Sequence, residues 1–141
     1  MIEITLDGIK EVREKLAKLE ASLDPTEILD EAEALLLNRI RTRFLAETDP
    51  DGNKWPESKA AKKRRASGGT GTLFDTGTLF HSLQAYAKGL DERAIGTDVP
   101  YAPFLQFGTD KLPARVFLGI GEEDLMLVER LVLLRIEEAV E

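Results

Sequence analysis

Apolar residues recur between Ile28 and Phe44 at a spacing that a long amphipathic helix satisfies and a strand does not. Ile28, Leu29, Ala32, Leu35, Leu36, Ile40 and Phe44 fall on one broad face. Asp24-Pro25-Thr26-Glu27 supplies a start signal. Asp24 can cap, Pro25 fits the first turn, and Glu27 stands where the acid of a capping box belongs. The helix is expected to end near Ala46. A helix with one apolar face needs a layer to lie on, and the remaining chain must provide it. At 141 residues the chain is the size of one domain. Such a chain hides roughly two-thirds of its unfolded surface, too little for a second large core.

The flanking segments suggest what that layer is. Ile2, Ile4 and Leu6 alternate with polar residues, as in a short strand, and Ile9, Val12, Leu16, Leu19 and Leu23 form a helical stripe. Leu83–Lys88 and Arg93–Thr97 flank Gly89-Leu90-Asp91-Glu92, which predicts a β-hairpin with a four-residue connection. A short helix is expected within Pro100–Phe107, a loop over Gly108–Arg115 and a further strand over Val116–Ile120. Glu122-Glu123-Asp124 opens a last helix, since acids in a first turn favour the helix dipole. The expected fold is therefore α+β. A small, mostly antiparallel sheet around the hairpin packs with N-terminal and C-terminal helices, in a single domain over residues 1–141.

In the last helix, Leu125–Val128, Leu131–Leu134, Ile136 and Val140 cover more than one face. A helix apolar on most sides is buried on most sides. In so small a domain, one side would pack on the chain's own core and the other would meet a second subunit or another protein, with Leu131 and Leu134 as candidate contacts. A helix sunk wholly in the core is the alternative.

Residues 47–72 differ in character. Asp49-Pro50-Asp51-Gly52-Asn53 is turn chemistry, followed by a basic run and Ser67-Gly68-Gly69. The segment is expected to be a long mobile loop, with a helical turn within Ser58–Ala66. Thr70–Phe74 and Thr76–Phe80 both read TGTLF. The first copy is expected as loop, the second as a short helix capped by Asp75 or Thr76.

Charge is uneven. The chain carries net −7, yet Lys54–Arg65 holds six basic residues and one acid, which leaves −12 for the rest. Glu122–Glu141 holds seven acids and two arginines. An acidic chain is a poor general nucleic-acid binder. Lys59, Lys62, Lys63, Arg64 and Arg65 are nonetheless candidates for contact with phosphates or an acidic protein partner. No interleaved aromatics accompany them, so base-stacking recognition is not expected.

Other chemistries fail on residue count or spacing. With no cysteine, disulfides and thiolate sites are excluded. Counted from Asp49, the calcium-loop pattern places glycine at position 4 rather than 6 and Ala60 where the bidentate acid belongs. Gly68-Gly69-Thr70-Gly71 lacks the ending of a phosphate-binding loop. The lone histidine, His81, is expected as a partly buried helix residue without a catalytic partner. Neither a signal peptide nor a membrane span is expected. No cofactor, metal site or catalytic set is indicated.

Several strings occur together in order: Asp49-Pro50-Asp51-Gly52 with Trp55, Leu73 through Thr76-Gly77-Thr78-Leu79 to Ser82-Leu83, Ile95-Gly96-Thr97, Tyr101-Ala102, Gln106-Phe107-Gly108-Thr109, and Pro113-Ala114-Arg115-Val116-Phe117-Leu118-Gly119. In these the chain resembles the phage virion morphogenesis family, which includes the tail-completion proteins of Mu-like and P2-like phages. The family pattern often has histidine before the glutamine, and Leu105 stands there instead. The Tyr-Ala-Pro start and Phe-Gly-Thr ending also resemble head–tail joining components of long-tailed phages, so both junctions remain open.

The resemblance implies a structural, non-enzymatic role in tail completion or head–tail joining, in the virion and, during assembly, in the host cytoplasm. Together with the over-apolar last helix and the charge asymmetry, it leads to the expectation of further copies of the chain in a ring and neighbouring phage tail or head–tail proteins as partners, with non-specific phage DNA contact through the basic run as a second hypothesis. Candidate contacts are Tyr101, Phe104, Phe107, Arg115 and Phe117, besides Leu131 and Leu134. The aromatic residues have core packing as the alternative. Gly108 and Gly119 suit positive φ or close approach, and Arg115 can anchor its loop through a carboxylate or carbonyl. The rival function is a nucleic-acid-binding regulator using residues 54–65.

Overall fold

A computed structural model of the chain describes residues 2–5, 25–68, 77–89 and 92–140. Strand β1 (Ile2–Thr5), helix α1 (Pro25–Ala46), helix α2 (Lys59–Ala66), helix α3 (Thr78–Ser82), strands β2 (Gln84–Ala87) and β3 (Arg93–Thr97), helix α4 (Ala102–Phe107) and helix α5 (Glu122–Val140) follow in order. This is the expected α+β arrangement. The helix expected over Ile9–Leu23, its neighbour Leu6, the cap Asp24 and the first TGTLF copy lie outside the described residues.

The sheet is antiparallel with order β1-β3-β2. The hairpin register pairs Ala85 with Ile95 and Ala87 with Arg93, and β1 adds Ile4 opposite Ile95 on the other edge. Being central, β3 buries Ala94, Ile95 and Thr97. Gly96 is required there, because a Cβ would run into the β1 backbone at Ile2 and Glu3. The Thr97 hydroxyl is partnered, 2.5 Å from Ser82 Oγ and accepting the Val99 N–H at 3.1 Å.

Helix α1 lays Ile28, Leu29, Ala32, Leu36, Ile40 and Phe44 into the core. It ends as expected at Ala46. Thr48 N–H reaches Arg43 O at 3.0 Å and Glu47 N–H reaches Phe44 O at 3.2 Å. Those two bonds are the Schellman pattern, here with Glu47 rather than glycine in the left-handed region at φ 61°. Phe44 anchors an aromatic cluster, with ring centroids 5.3 Å from Trp55, 5.6 Å from Phe80 and 5.9 Å from Phe117. Helix α5 closes the core with Val128 and Val132. It runs antiparallel to α1, since Glu31 pairs with Arg135 and Arg43 with Asp124.

Three local expectations change. Residues 47–68, expected as a long loop, carry structure: a Thr48–Lys54 bridge, a buried Trp55 and helix α2. Helix α3 starts after Gly77 at φ 84°, with no side-chain cap, rather than after Asp75 or Thr76. Val116–Ile120 is not a strand. Two neighbours bear their expectations out. The Asp49 turn is held by its own carboxylate, which accepts the N–H groups of Asp51 and Asn53, both at 2.9 Å. Residues 102–107 form the expected short helix.

A candidate assembly surface and the segment that supports it

Residues 115–121 run through the fold without helix or strand structure, and among the described residues no strand pairs with them. Backbone N–H and C=O groups in such a place still need partners. Side chains supply them. Gln106 accepts the N–H groups of Phe117 and Leu118 through Oε1 at 3.0 and 3.1 Å. Its Nε2 donates to Leu118 O at 2.7 Å. One primary amide thus does what a neighbouring strand would do, since it carries both a donor and an acceptor. Trp55 Nε1 donates to Val116 O at 2.9 Å and Arg43 to Gly119 O at 2.8 Å. A strand was expected because Val116–Ile120 is apolar on both faces, but its hydrogen-bond partners come from positions remote in sequence.

The same segment gathers the strings that the sequence scatters. Arg115 Nε donates to Pro56 O at 2.7 Å, while its backbone N–H donates to Leu105 O at 2.8 Å. Gly119 and Gly121 lie against Pro50, where a Cβ at either position would overlap it. Gly108 has φ 76° and sits tightly against Leu112 and Ala114. Both roles expected for these glycines occur, close approach at Gly119 and positive φ at Gly108.

An ionic joint closes the arrangement. Asp124 in the first turn of α5 is buried, with 1% of its surface exposed. It accepts from Gly121 N–H at 2.9 Å, from Arg43 at 2.7 and 2.8 Å, and from Arg39. Burial by itself pushes its pKa up. The Gly121 N–H and the two guanidiniums outweigh that and hold the carboxyl below its ordinary value. Arg39 is raised in turn, chiefly by its hydrogen bond to Asp124. Desolvation lowers Arg115. Residue spacing did not reveal this joint; the one signal was an acid in a first turn beside a buried face.

The candidate contact residues divide. Phe117 and Arg115 are inside the fold, 1% and 5% exposed, so neither presents a surface to a partner: Phe117 packs on Phe44, and Arg115 braces Pro56. Leu131 packs against the core, half-buried. Tyr101, Phe104, Phe107 and Leu134 are exposed, Phe107 at 72%. Exposed on α5 are also Leu125, Met126 and Leu133, which the sequence reading passed over as contacts. Projecting away from the Val128–Val132 face would have found them. Glu122, Met126, Glu129, Leu133 and Glu137 lie on one outward stripe, since steps of three and four residues stay on one side of a helix.

Helix α2 carries the basic run. Ser58 caps it, accepting the Ala61 N–H at 3.0 Å, and Ala61 is its buried residue. Lys59, Lys62 and Lys63 share the opposite, exposed face, and among the described residues none of them enters an ion pair. Arg65 is engaged by Glu47 and Glu57, and Arg64 is half-buried. His81 is exposed rather than partly buried, beside Phe80 in the last turn of α3. No group of acidic or histidine side chains among the described residues is arranged to hold a metal ion. No described helix is long and apolar enough to cross a membrane.

Comparison with known proteins agrees with the residues gathered here. The family model described as phage virion morphogenesis family matches residues 5–137. The chain is similar to the Mu-like prophage FluMu G protein 1 of Haemophilus influenzae, 29% identical over 116 residues that cover 79% of this chain and 80% of that one. No solved structure matches.

Proposed function

The chain belongs to the phage virion morphogenesis family and so has a role in phage morphogenesis, and from that premise we propose that it is a non-enzymatic, ring-forming subunit acting in tail completion or head–tail joining. The observation that carries this reading is apolar surface left over after the core is complete. Val128 and Val132 close the core from one side of α5, yet Met126 and Leu133 on the other side are 63% and 59% exposed. Tyr101, the N-cap of α4, with Phe104 and Phe107 on the helix, adds a second exposed set. Clustered exposed apolar groups mark surfaces that another protein covers. Two unlike patches on one chain favour head-to-tail contact, which closes into a ring when the rotation between copies permits.

The reading places the protein in the host cytoplasm during assembly and in the finished particle. Electron microscopy of a lysate from a phage with an early stop codon in this gene tests it. Unjoined heads beside incomplete tails are expected. Particles of normal appearance would remove the structural role and favour a nucleic-acid-binding regulator acting through residues 54–65, which gel shifts with a steep salt dependence would reveal.

A further inference from the structure

The two charged regions are matched in size and opposite in sign: Lys54–Arg65 is +5 and Glu122–Glu141 is −5. The fold sorts each of them. On α5, Asp124 is spent on Arg39 and Arg43, Glu123 pairs with Arg39, and Glu138 pairs with Arg135. Glu122, Glu129 and Glu137 remain without an ion pair among the described residues and alternate with Met126 and Leu133 along the outward stripe. On α2, Arg65 is held by Glu47 and Glu57, and Lys59, Lys62 and Lys63 remain on the exposed face. Three acids on the stripe and three lysines on α2 are thus exposed and outside any ion pair among the described residues, as are Arg130 on α5 and Lys54, whose Nζ donates to Ala46 O.

Helices α2 and α4 both flank residue 115: Pro56 O, just before α2, takes the Arg115 guanidinium, and Leu105 O on α4 takes its N–H. The lysine-bearing and the aromatic-bearing helices are therefore both tethered at residue 115, and acids and apolar side chains alternate on α5. We infer that the outward stripe of α5 in one copy docks on the α2–α4 surface of a second copy, with Lys59, Lys62 and Lys63 facing Glu122, Glu129 and Glu137, and Phe104 and Phe107 covering Met126 and Leu133.

From Glu122 to Glu137 the stripe spans about 22 Å along the helix, against about 6 Å of rise from Lys59 to Lys63. Flexible four-carbon stems that splay from α2, together with the glutamate side chains, bridge the difference at the two ends. Thioether against aromatic ring is a favourable contact for Met126. Repeated from copy to copy rather than exchanged within a pair, the contact is heterologous and gives a ring its direction. This inference rests on the assembly reading above and specifies which surfaces meet.

Charge reversal tests it by sedimentation of the full chain. The Lys59→Glu/Lys62→Glu/Lys63→Glu variant should self-associate about 10- to 100-fold more weakly than wild type at low salt, and so should Glu122→Lys/Glu129→Lys/Glu137→Lys. Mixed in equal amounts, the two variants present complementary faces again and should co-assemble to within about tenfold of wild type. All six positions are exposed, and circular dichroism matching wild type establishes that each variant is folded. Wild-type association that survives either reversal, or folded variants that fail to co-assemble, would overturn the pairing alone. A wild-type chain that stays monomeric at every concentration would overturn the assembly reading and the pairing with it. A lysine variant that assembles normally but no longer retains duplex DNA would overturn the pairing in favour of phosphate contact.

Discussion

Helices α1 and α5 lie side by side, similar in length at 22 and 19 residues, and they use apolar side chains differently. On α1 the buried face is apolar apart from Arg43, and the outer side carries Asp30, Ala34, Asn38 and Thr42, with Leu45 near its end as its exposed large apolar residue. On α5 apolar residues continue past the core, so that Met126 and Leu133 stand opposite Val128 and Val132. One helix buries most of its large apolar side chains when the chain folds; the other keeps an exposed apolar face. On the assembly proposed above, apolar residues in a helix report burial in the assembled state, and the fold of one copy accounts for only part of it.

The comparison can be broken from the α1 side with the largest effect. Phe44→Ala removes a fully buried ring that touches Trp55, Phe80 and Phe117, and should cost about 3 to 5 kcal/mol in denaturant unfolding. Loss under 1 kcal/mol would mean that α1 is not the inner helix described here.

The joint between the helices comes next. Asp124→Asn keeps the shape and an acceptor for Gly121 N–H but leaves the Arg39 and Arg43 guanidiniums facing a neutral group. A loss of about 3 kcal/mol is expected at neutral pH. Because the folded carboxyl titrates below its ordinary value, its stabilisation is fully present above about pH 4 and fades as pH falls through the folded pKa. Acid titration of stability should therefore be flatter for the variant than for wild type below about pH 4.

A smaller loss is expected at the supporting segment. Gln106→Ala leaves two N–H groups and one carbonyl of residues 117–118 without their partner, for about 1 to 3 kcal/mol by thermal unfolding. Gln106→Glu retains the acceptor but loses the donor, and should fall between Ala and wild type.

The outer face of α5 gives the smallest effect on stability and sharpens the contrast. Leu133→Asp should change unfolding of the dissociated chain by no more than about 0.5 kcal/mol, while self-association measured by sedimentation is lost. A large destabilisation would show that Leu133 belongs to the core.

What could be seen in the sequence follows from the range of the interactions. The periodicity of α1, the hairpin and the Asp49 turn are local, and each is found where its residues place it. Gly108 and Gly119 were legible as backbone positions because glycine has few other reasons to recur beside aromatic residues. The strand expected over residues 116–120 was not realised, because an apolar run specifies burial but not the identity of its hydrogen-bond partner. The aromatic set split for a similar reason. Phe117 and Phe107 look alike in sequence, and only the path of the chain puts one on Phe44 and the other in solvent. Leu131 and Leu134 split by helical phase, which needs the direction of the core to be fixed first.

The Arg43–Asp124 joint spans 81 positions of sequence, and Glu31–Arg135 spans 104. On a ribosome α1 emerges well before α5, and its apolar face waits for most of the chain to be made. Contacts of such separation are slow to form, and the surface waiting for them is prone to misassociate meanwhile. The element that closes the core is also the one that carries the outward stripe. A copy therefore offers that stripe in fixed geometry only once its own folding is complete; on the assembly proposed above, folding of each copy precedes its docking.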